Sequence, residues 1–339
     1  MSSLQILGLG VFFAASAVSS LAQAPAYRYI RAGENADVAA QTRPGFALMG
    51  GGTDLDEAFQ FLCDRAGGGD FLVLRATGDD EYNPYIRGLC HLNSVATLII
   101  PNREAAADPF VADAIEHASA IFIAGGDQAN YINFWMNTPL QAALNGAIRR
   151  GVPIGGTSAG LAVLGEYIYT AQGDKPDDPN LDGKTALVDP YSSRISLTHG
   201  FLDIPILKGI ITDTHFARRD RMGRLLVFLA RLNKPDGKSL PGNVTTIHGI
   251  GVEERAAVLV EPDGQARVVG YGGAYFIDAK GADGPLQIGK PLTYGPFEVQ
   301  KVVPGGSFYL NSWAGDSISY RISAKSGKLR STQTANEIY

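Results

Sequence analysis

Val152-Pro153-Ile154-Gly155-Gly156-Thr157-Ser158-Ala159-Gly160-Leu161-Ala162-Val163-Leu164 reads as a short apolar strand, a glycine-lined turn with one exposed hydroxyl, and the start of a buried helix. Residues 156 to 160 fit G-x-S-x-G. In that pattern the glycines permit a strained strand-to-helix turn, the serine hydroxyl is pushed into a cleft, and the next N–H is left free as an oxyanion donor. A serine that only caps a helix is the plainer alternative. The apolar strand before it and the apolar helix after it favour a nucleophile, Ser158.

Outward from this elbow, short apolar runs alternate with longer segments of helical period. The runs are Phe46 to Met49, Phe71 to Leu74, Val95 to Ile100, Ile121 to Ala124, Val152 to Gly155 and Ile210 to Thr212. Between them, Asp54 to Ala66, Pro109 to Ala118 and Pro139 to Arg150 carry apolar residues three and four apart. Such alternation predicts an α/β fold, a doubly wound and mostly parallel sheet with helices on both faces. Strands without polar alternation fit burial on both sides. From about residue 256 the pattern changes to strands joined by tight turns, as in Ala256 to Val260, Glu261-Pro262-Asp263-Gly264 and Ala266 to Val269. The expectation is a single α/β domain over 25 to 339, with a catalytic part over about 45 to 255 and a β-rich end over 256 to 339. Gly173 to Lys184 reads as a long exposed loop.

Three of the strands end in glycine clusters: Gly50-Gly51-Gly52-Thr53, Gly125-Gly126-Asp127-Gln128 and the elbow itself. In a doubly wound sheet these ends share one edge, where loops expose N–H groups and ligands bind. None fits G-x-G-x-x-G with an acidic ribose partner, and none has a phosphate-loop lysine, so nucleotide binding is disfavoured. A serine nucleophile needs a base. Of the five histidines, His215 follows an apolar strand in Asp213-Thr214-His215-Phe216 and is predicted at another strand end on the same edge. His117 closes a helix and reads as a cap or solvated group. Behind His215 come Arg218, Arg219, Arg221 and Arg224, a concentration of guanidinium forks suited to carboxylates.

Composition bounds the rest. With 34 acidic and 29 basic residues among 339 and a formal charge of -5, there is no bulk pull toward nucleic acid or an anionic bilayer. No His, Cys or carboxylate cluster has metal-ligand spacing, and no cofactor is expected. Two cysteines allow one bridge, Cys63 to Cys90. Leu4 to Leu21 is an apolar run followed by Ala22-Gln23-Ala24, which predicts a signal peptide over 1 to 24 and a secreted or periplasmic protein without a membrane anchor once cleaved.

Gly125-Gly126-Asp127-Gln128, Gly156-Thr157-Ser158-Ala159-Gly160, Asp213-x-His215-Phe216 with Arg219, Arg221, Gly223 and Arg224, and Gly249-Ile250-Gly251-Val252-Glu253-Glu254 occur in the order found in cyanophycinases. Together they make residues 45 to 280 resemble that family of serine peptidases, relatives of the aspartyl dipeptidases. The resemblance implies a flavodoxin-like sheet and cleavage of β-linked aspartyl peptides, among them cyanophycin, a polyaspartate bearing arginine on its side-chain carboxyls. It also implies Ser158 as nucleophile, His215 as base, N–H groups of Gly126 and Ala159 as oxyanion hole, and Gln128, Asp213, Thr214, Arg219, Arg221 and Arg224 around the substrate. The acid falls in a window holding Asp174, with Asp177 and Asp178 just beyond, and Asp174 is the expected third member. Thr214 departs from the family, which carries Gln between the Asp and the His. Pairing into a homodimer is left open. An α/β-hydrolase esterase shares the elbow, but it places its His further downstream and uses an HGGG-type loop that this sequence lacks. A binding protein that kept the pocket without the chemistry is the remaining alternative.

Overall fold

The computed structural model describes residues 26–174, 177–178, 180–233 and 247–339. The expected signal segment lies outside these residues. In chain order the first half runs β1 (Arg28–Gly33), β2 (Phe46–Met49), α1 (Asp56–Arg65), β3 (Asp70–Arg75), α2 (Tyr82–Leu89), β4 (Ser94–Ile99), α3 (Arg103–Ala106), α4 (Pro109–His117) and β5 (Ala120–Ile123). Then come α5 (Gln128–Trp135), α6 (Pro139–Arg149), β6 (Ile154–Thr157), α7 (Ala159–Ala162), β7 (Tyr167–Tyr169), α8 (Gly183–Val188), β8 (Leu197–His199), β9 (Ile210–Asp213) and α9 (Met222–Asn233). Among the described residues the remainder is strands and connecting loops, with a 15-residue loop over 279 to 293 and a 3-10 turn at Thr334–Asn336: β10 (His248–Val252), β11 (Ala256–Val260), β12 (Gln265–Gly270), β13 (Ala274–Asp278), β14 (Tyr294–Val302), β15 (Ser307–Tyr309), β16 (Ala314–Gly315), β17 (Ile318–Lys325) and β18 (Lys328–Ser331).

The strands form two sheets. The first has the order β1-β4-β3-β5-β6-β2-β11-β12-β15-β16, parallel from β4 to β2 and antiparallel at both ends. The second has the order β18-β17-β14-β13-β10-β9-β7-β8, with β7, β9 and β10 mutually parallel. The expected α/β parallel sheet with a β-rich C-terminal part is therefore present. The single sheet edge expected to carry both the elbow and His215 is not. Both sides of β6 and of β2 are occupied, by β5 and β11 at the outer positions, so β9 pairs in the second sheet.

Strand alternation shares out the core. Phe46 and Leu48 of β2 join a cluster with Leu144 and Ile148 of α6, whereas Ala47 and Met49 point to the opposite face, against Phe59 and Leu62 of α1. Ile210 of β9 and Ile250 and Val252 of β10 enter the first of these clusters too, so the two sheets share a core. Ile211 faces the other way, toward the buried stripe of Leu225, Leu226 and Leu229 on α9. Helix starts are sharpened by side chains: Asp108 accepts from the Phe110 N–H at α4, and Asp127 accepts from the Ala129 N–H at α5. A Cys63–Cys90 disulfide ties α1 to the residue that ends α2. The strand expected at Val152 to Gly155 starts two residues later, at Ile154. Val152 N–H still closes the end of α6 by donating to Ala147 O, and Pro153 has no N–H to give a ladder.

Candidate active site

Ser158 sits between β6 and α7 with φ +53° and ψ −116°, a conformation that L-residues adopt only under constraint. Glycine makes it affordable to fold. A Cβ on Gly160 would lie 2.0 Å from the Ile123 carbonyl oxygen, and one on Gly156 would lie 2.6 Å from the Gly160 carbonyl carbon. The turn can therefore pack only with glycine at both positions. Gly125, at the end of β5, lies alongside: a Cβ there would be 3.6 Å from the Ser158 Cβ. Among the described residues no protein acceptor takes the N–H of Gly126 or of Ala159. Both are available to an incoming oxyanion.

His215 reaches the elbow from the other sheet, two residues past Asp213 at the end of β9. Its Nε2 lies 2.7 Å from Ser158 Oγ and its Nδ1 lies 2.6 Å from Glu254 Oε1. The histidine is buried and has φ +46°. Its N–H donates to Gly50 O, and its ring rests on Gly51, where a Cβ would come within 2.5 Å of Cε1. The glycine cluster at 50 to 52 is thus a seat for the imidazole rather than a ligand loop. Glu254 lies on the crossing from β10 in the second sheet to β11 in the first, so one short turn links the two sheets and supplies the carboxylate. Burial lowers the His215 pKa below its ordinary value of 6.5; the Glu254 hydrogen bond opposes that, and the charges of Arg219 and Arg221 add to the lowering. The lowering favours the neutral imidazole, the form that can accept a proton.

Asp174, the expected acid, makes no such contact. Its Oδ1 accepts from Tyr169 Oη at 2.8 Å and from Arg194 Nη2 at 3.3 Å. Asp178 also pairs with Arg194, at 2.6 Å. After β7, Ala171, Asp174 and Asn180 line the cleft, and described residues of the loop expected to be exposed over Gly173 to Lys184 turn inward. Leu181 is buried and Asn180 reaches Arg221. Glu254 was overlooked although it stands in the quoted Gly249 to Glu254 motif. The available signal was its place just beyond an apolar strand, the same position that singled out His215.

Beside Ser158 lies a cavity of about 450 Å³ lined by Gly126, Gln128, Tyr169, Asp174, Arg219 and Arg221, among others. The expected substrate residues divide into two groups. Asp213 and Arg224 are both buried and hold each other, with Nε donating to Oδ2 at 2.8 Å and Nη2 donating to Oδ1, while Nη1 donates to Leu181 O. The guanidinium is engaged by the protein, so this pair clamps the root of the His215 segment, and Arg224 also lines the cavity. Arg221 lies against the cavity. Its Nη1 donates to Thr214 O and Oγ1, both at 3.0 Å, and its Nη2 donates to Asn180 Oδ1 at 3.0 Å. Burial and the neighbouring Arg224 charge push its pKa down to about 9. Arg219 is exposed at the rim, and no carboxylate pairs with it among the described residues. Thr214 is buried, and its carbonyl and hydroxyl accept from Arg221. No group of three His, Cys, Asp or Glu residues among those described could hold a metal ion.

A parallel-sheet α/β protein with a serine on a strand-to-helix elbow, hydrogen-bonded to a histidine that is in turn held by a carboxylate, has the constellation of the serine hydrolases. The comparisons with known proteins narrow that class. Residues 88–191 match the model of peptidase family S51. The cyanophycinase of Geminocystis herdmanii is 32% identical over 167 residues, 49% of this chain and 52% of that protein. The cyanophycinase of Trichormus variabilis is 31% identical over 185 residues, 54% of this chain and 53% of that protein. The chain spans about half the length of these curated relatives. A crystal structure of a peptidase from an acI-B1 Actinobacterium covers 80% of this chain and 98% of its own, with a TM-score of 0.50 at 18% identity, and shares the fold. Over these residues the chain is similar to peptidase family S51 and to cyanophycinases.

Proposed function

We propose that the protein is a serine peptidase that hydrolyses β-linked aspartyl peptides, with cyanophycin as the polymer of that class. The observation that carries this reading is the continuous Ser158, His215, Glu254 relay beside a cavity whose rim carries the Arg219 guanidinium, unpaired among the described residues. Ser158 Oγ attacks the scissile carbonyl as His215 Nε2 takes its proton, and Glu254 stabilises the imidazolium that forms. The Gly126 and Ala159 N–H groups receive the oxyanion, where one donor is typically worth about 100- to 1,000-fold in rate. The acyl-enzyme is then hydrolysed by water activated in the same way. An isoaspartyl dipeptide carries a free α-carboxylate next to its scissile β-amide, whereas in cyanophycin, where release of β-aspartyl-arginine breaks a backbone α-amide, the free carboxylate is that of the side-chain arginine; Arg219, with Arg221 behind it, supplies the charge to receive either. The Cys63–Cys90 bridge supports export, because disulfides persist in oxidising compartments.

Incubation of purified protein with cyanophycin and, separately, with an isoaspartyl dipeptide, followed by mass analysis of the products, tests the reading. Release of β-aspartyl-arginine or of free aspartate is expected. Hydrolysis of small esters alone would overturn the substrate class, and no turnover with no labelling by a fluorophosphonate would overturn the enzyme. Protein recovered from the producing cell is expected to begin between Gln23 and Tyr27; an intact leader would count against cleaved export.

A further inference from the structure

The segment from Asp213 to Met222 joins β9 to α9 and carries His215, Arg219 and Arg221. Two of its non-glycine residues have left-handed backbone, His215 at φ +46° and Asp220 at φ +48°. Such conformations persist where the surroundings hold them. The upstream end is held by the Asp213–Arg224 clamp. Within the segment the Arg219 N–H donates to His215 O and the Arg221 N–H to Phe216 O, and from outside the Gly183 N–H donates to Asp220 O.

The downstream end is held by a side chain from the β-rich region. Tyr339 Oη accepts from the Met222 N–H at 2.9 Å, at the start of α9, and donates to Asp220 Oδ1 at 2.9 Å. The hydroxyl thus uses both of its roles on the two residues that close the segment. Its ring meets the rings of Phe216 and Tyr275 edge-on, each with centroids 5.9 Å apart. The adjoining Ile338 is fixed in turn, its carbonyl accepting from Tyr320 Oη on β17 at 2.8 Å. A continuous line of contacts therefore runs from the second sheet to the residue next to Arg219.

Arg219 has no side-chain partner of its own among the described residues, so its place at the rim is set by the backbone on either side. We propose that Tyr339 is a positioning residue that holds Arg219 over the cavity through Asp220 and Met222. This rests on the reading of Arg219 as the substrate carboxylate's receiver. The hydroxyl and the ring then have separable duties. The hydroxyl fixes the rim, and the ring packs behind Phe216, next to the base.

The test is steady-state kinetics of the full chain and of Tyr339→Phe, Asp220→Ala and the double variant, on an isoaspartyl dipeptide and on a small neutral activated ester. Active sites are counted by fluorophosphonate titration, so that a misfolded fraction does not enter. For Tyr339→Phe the KM for the dipeptide is expected to rise about 3- to 10-fold, the scale of one hydrogen bond, with kcat within about twofold and ester hydrolysis unchanged. Asp220→Ala is expected to do the same, and the double variant no more than either single one. An unchanged KM, an equal loss on both substrates, or effects that multiply in the double variant would overturn the brace. Calorimetric binding of the dipeptide in a Ser158→Ala background reads the same step without turnover. Binding by the parent without hydrolysis would sink the peptidase reading alone; binding unaltered by Tyr339→Phe would sink the brace alone, and no binding by the parent would sink both.

Discussion

The two sheets contribute differently to the cleft. The first supplies Ser158 and the free N–H groups of Gly126 and Ala159 from turns made almost wholly of glycine and small residues, where the backbone itself does the work. The second supplies His215 and the guanidinium groups from a segment of large polar side chains held by ion pairs and buried contacts. Glu254 lies on the turn that passes from one to the other. An elbow is local, so it folds wherever its glycines allow. A relay that spans two sheets depends on how those sheets pack, and a change far from the serine can disturb it.

The largest break in the comparison is chemical. Ser158→Ala should cost about a million-fold in turnover of a β-aspartyl substrate, on the scale of serine triads, while leaving the unfolding transition in place. His215→Ala should be nearly as damaging although it belongs to the other sheet. His117→Ala, at the exposed end of α4, should be mild. Equal losses at His117 and His215 would mean that the second sheet does not supply the base.

A smaller effect is expected at the rim. Arg219→Gln should lower kcat/KM for an isoaspartyl dipeptide by about 10- to 100-fold, from the loss of a charge-assisted bond, and leave a neutral ester almost untouched. It should also move the acid limb of the pH profile. Activity needs His215 unprotonated, and burial with the Arg219 and Arg221 charges lowers its pKa, so the limb should lie below 6.5 and rise toward it when Arg219 loses its charge. A limb that stays in place would show that Arg219 does not act on the base. Arg224→Lys is expected to behave otherwise. Removing the fork from the buried Asp213 should lower thermal stability and harm both substrates together, which a paired kinetic and melting experiment would separate from Arg219→Gln.

The smallest effect lies in the first sheet's outer layer. Replacing both Cys63 and Cys90 by Ser should lower stability by about 3 kcal/mol, the usual gain for a loop of this size, with kcat/KM within about twofold. A large loss of activity would show that α1 and α2 position the cleft.

The same division explains what could be read from the sequence. The parallel strands and the elbow were legible because their signals are local: apolar runs, helical spacing, and glycines where side chains cannot fit. β1 was missed because Arg28-Tyr29-Ile30-Arg31 is a half-exposed edge strand with charged residues in its run. The existence of a second sheet, and the carboxylate on the crossing into it, depend on pairing choices between distant strands. Asp174 was favoured by its interval from Ser158, yet that interval ends at Arg194 and Tyr169. Arg224 looked like a substrate fork from its neighbours, but the partner it meets is Asp213, which the sequence had placed beside the same ligand.

The central claim is that a carboxylate between the sheets completes the relay, and kcat/KM for Glu254→Gln and Asp174→Asn on one isoaspartyl dipeptide tests it most directly. Glu254→Gln keeps size and removes the charge that supports the His215 imidazolium, so a loss of about 10³- to 10⁴-fold is expected, on the scale known for the acid of a serine triad. Asp174→Asn touches only the cavity wall and should cost less than about 10-fold. A severe loss in Asp174→Asn with near-normal activity in Glu254→Gln would contradict the account.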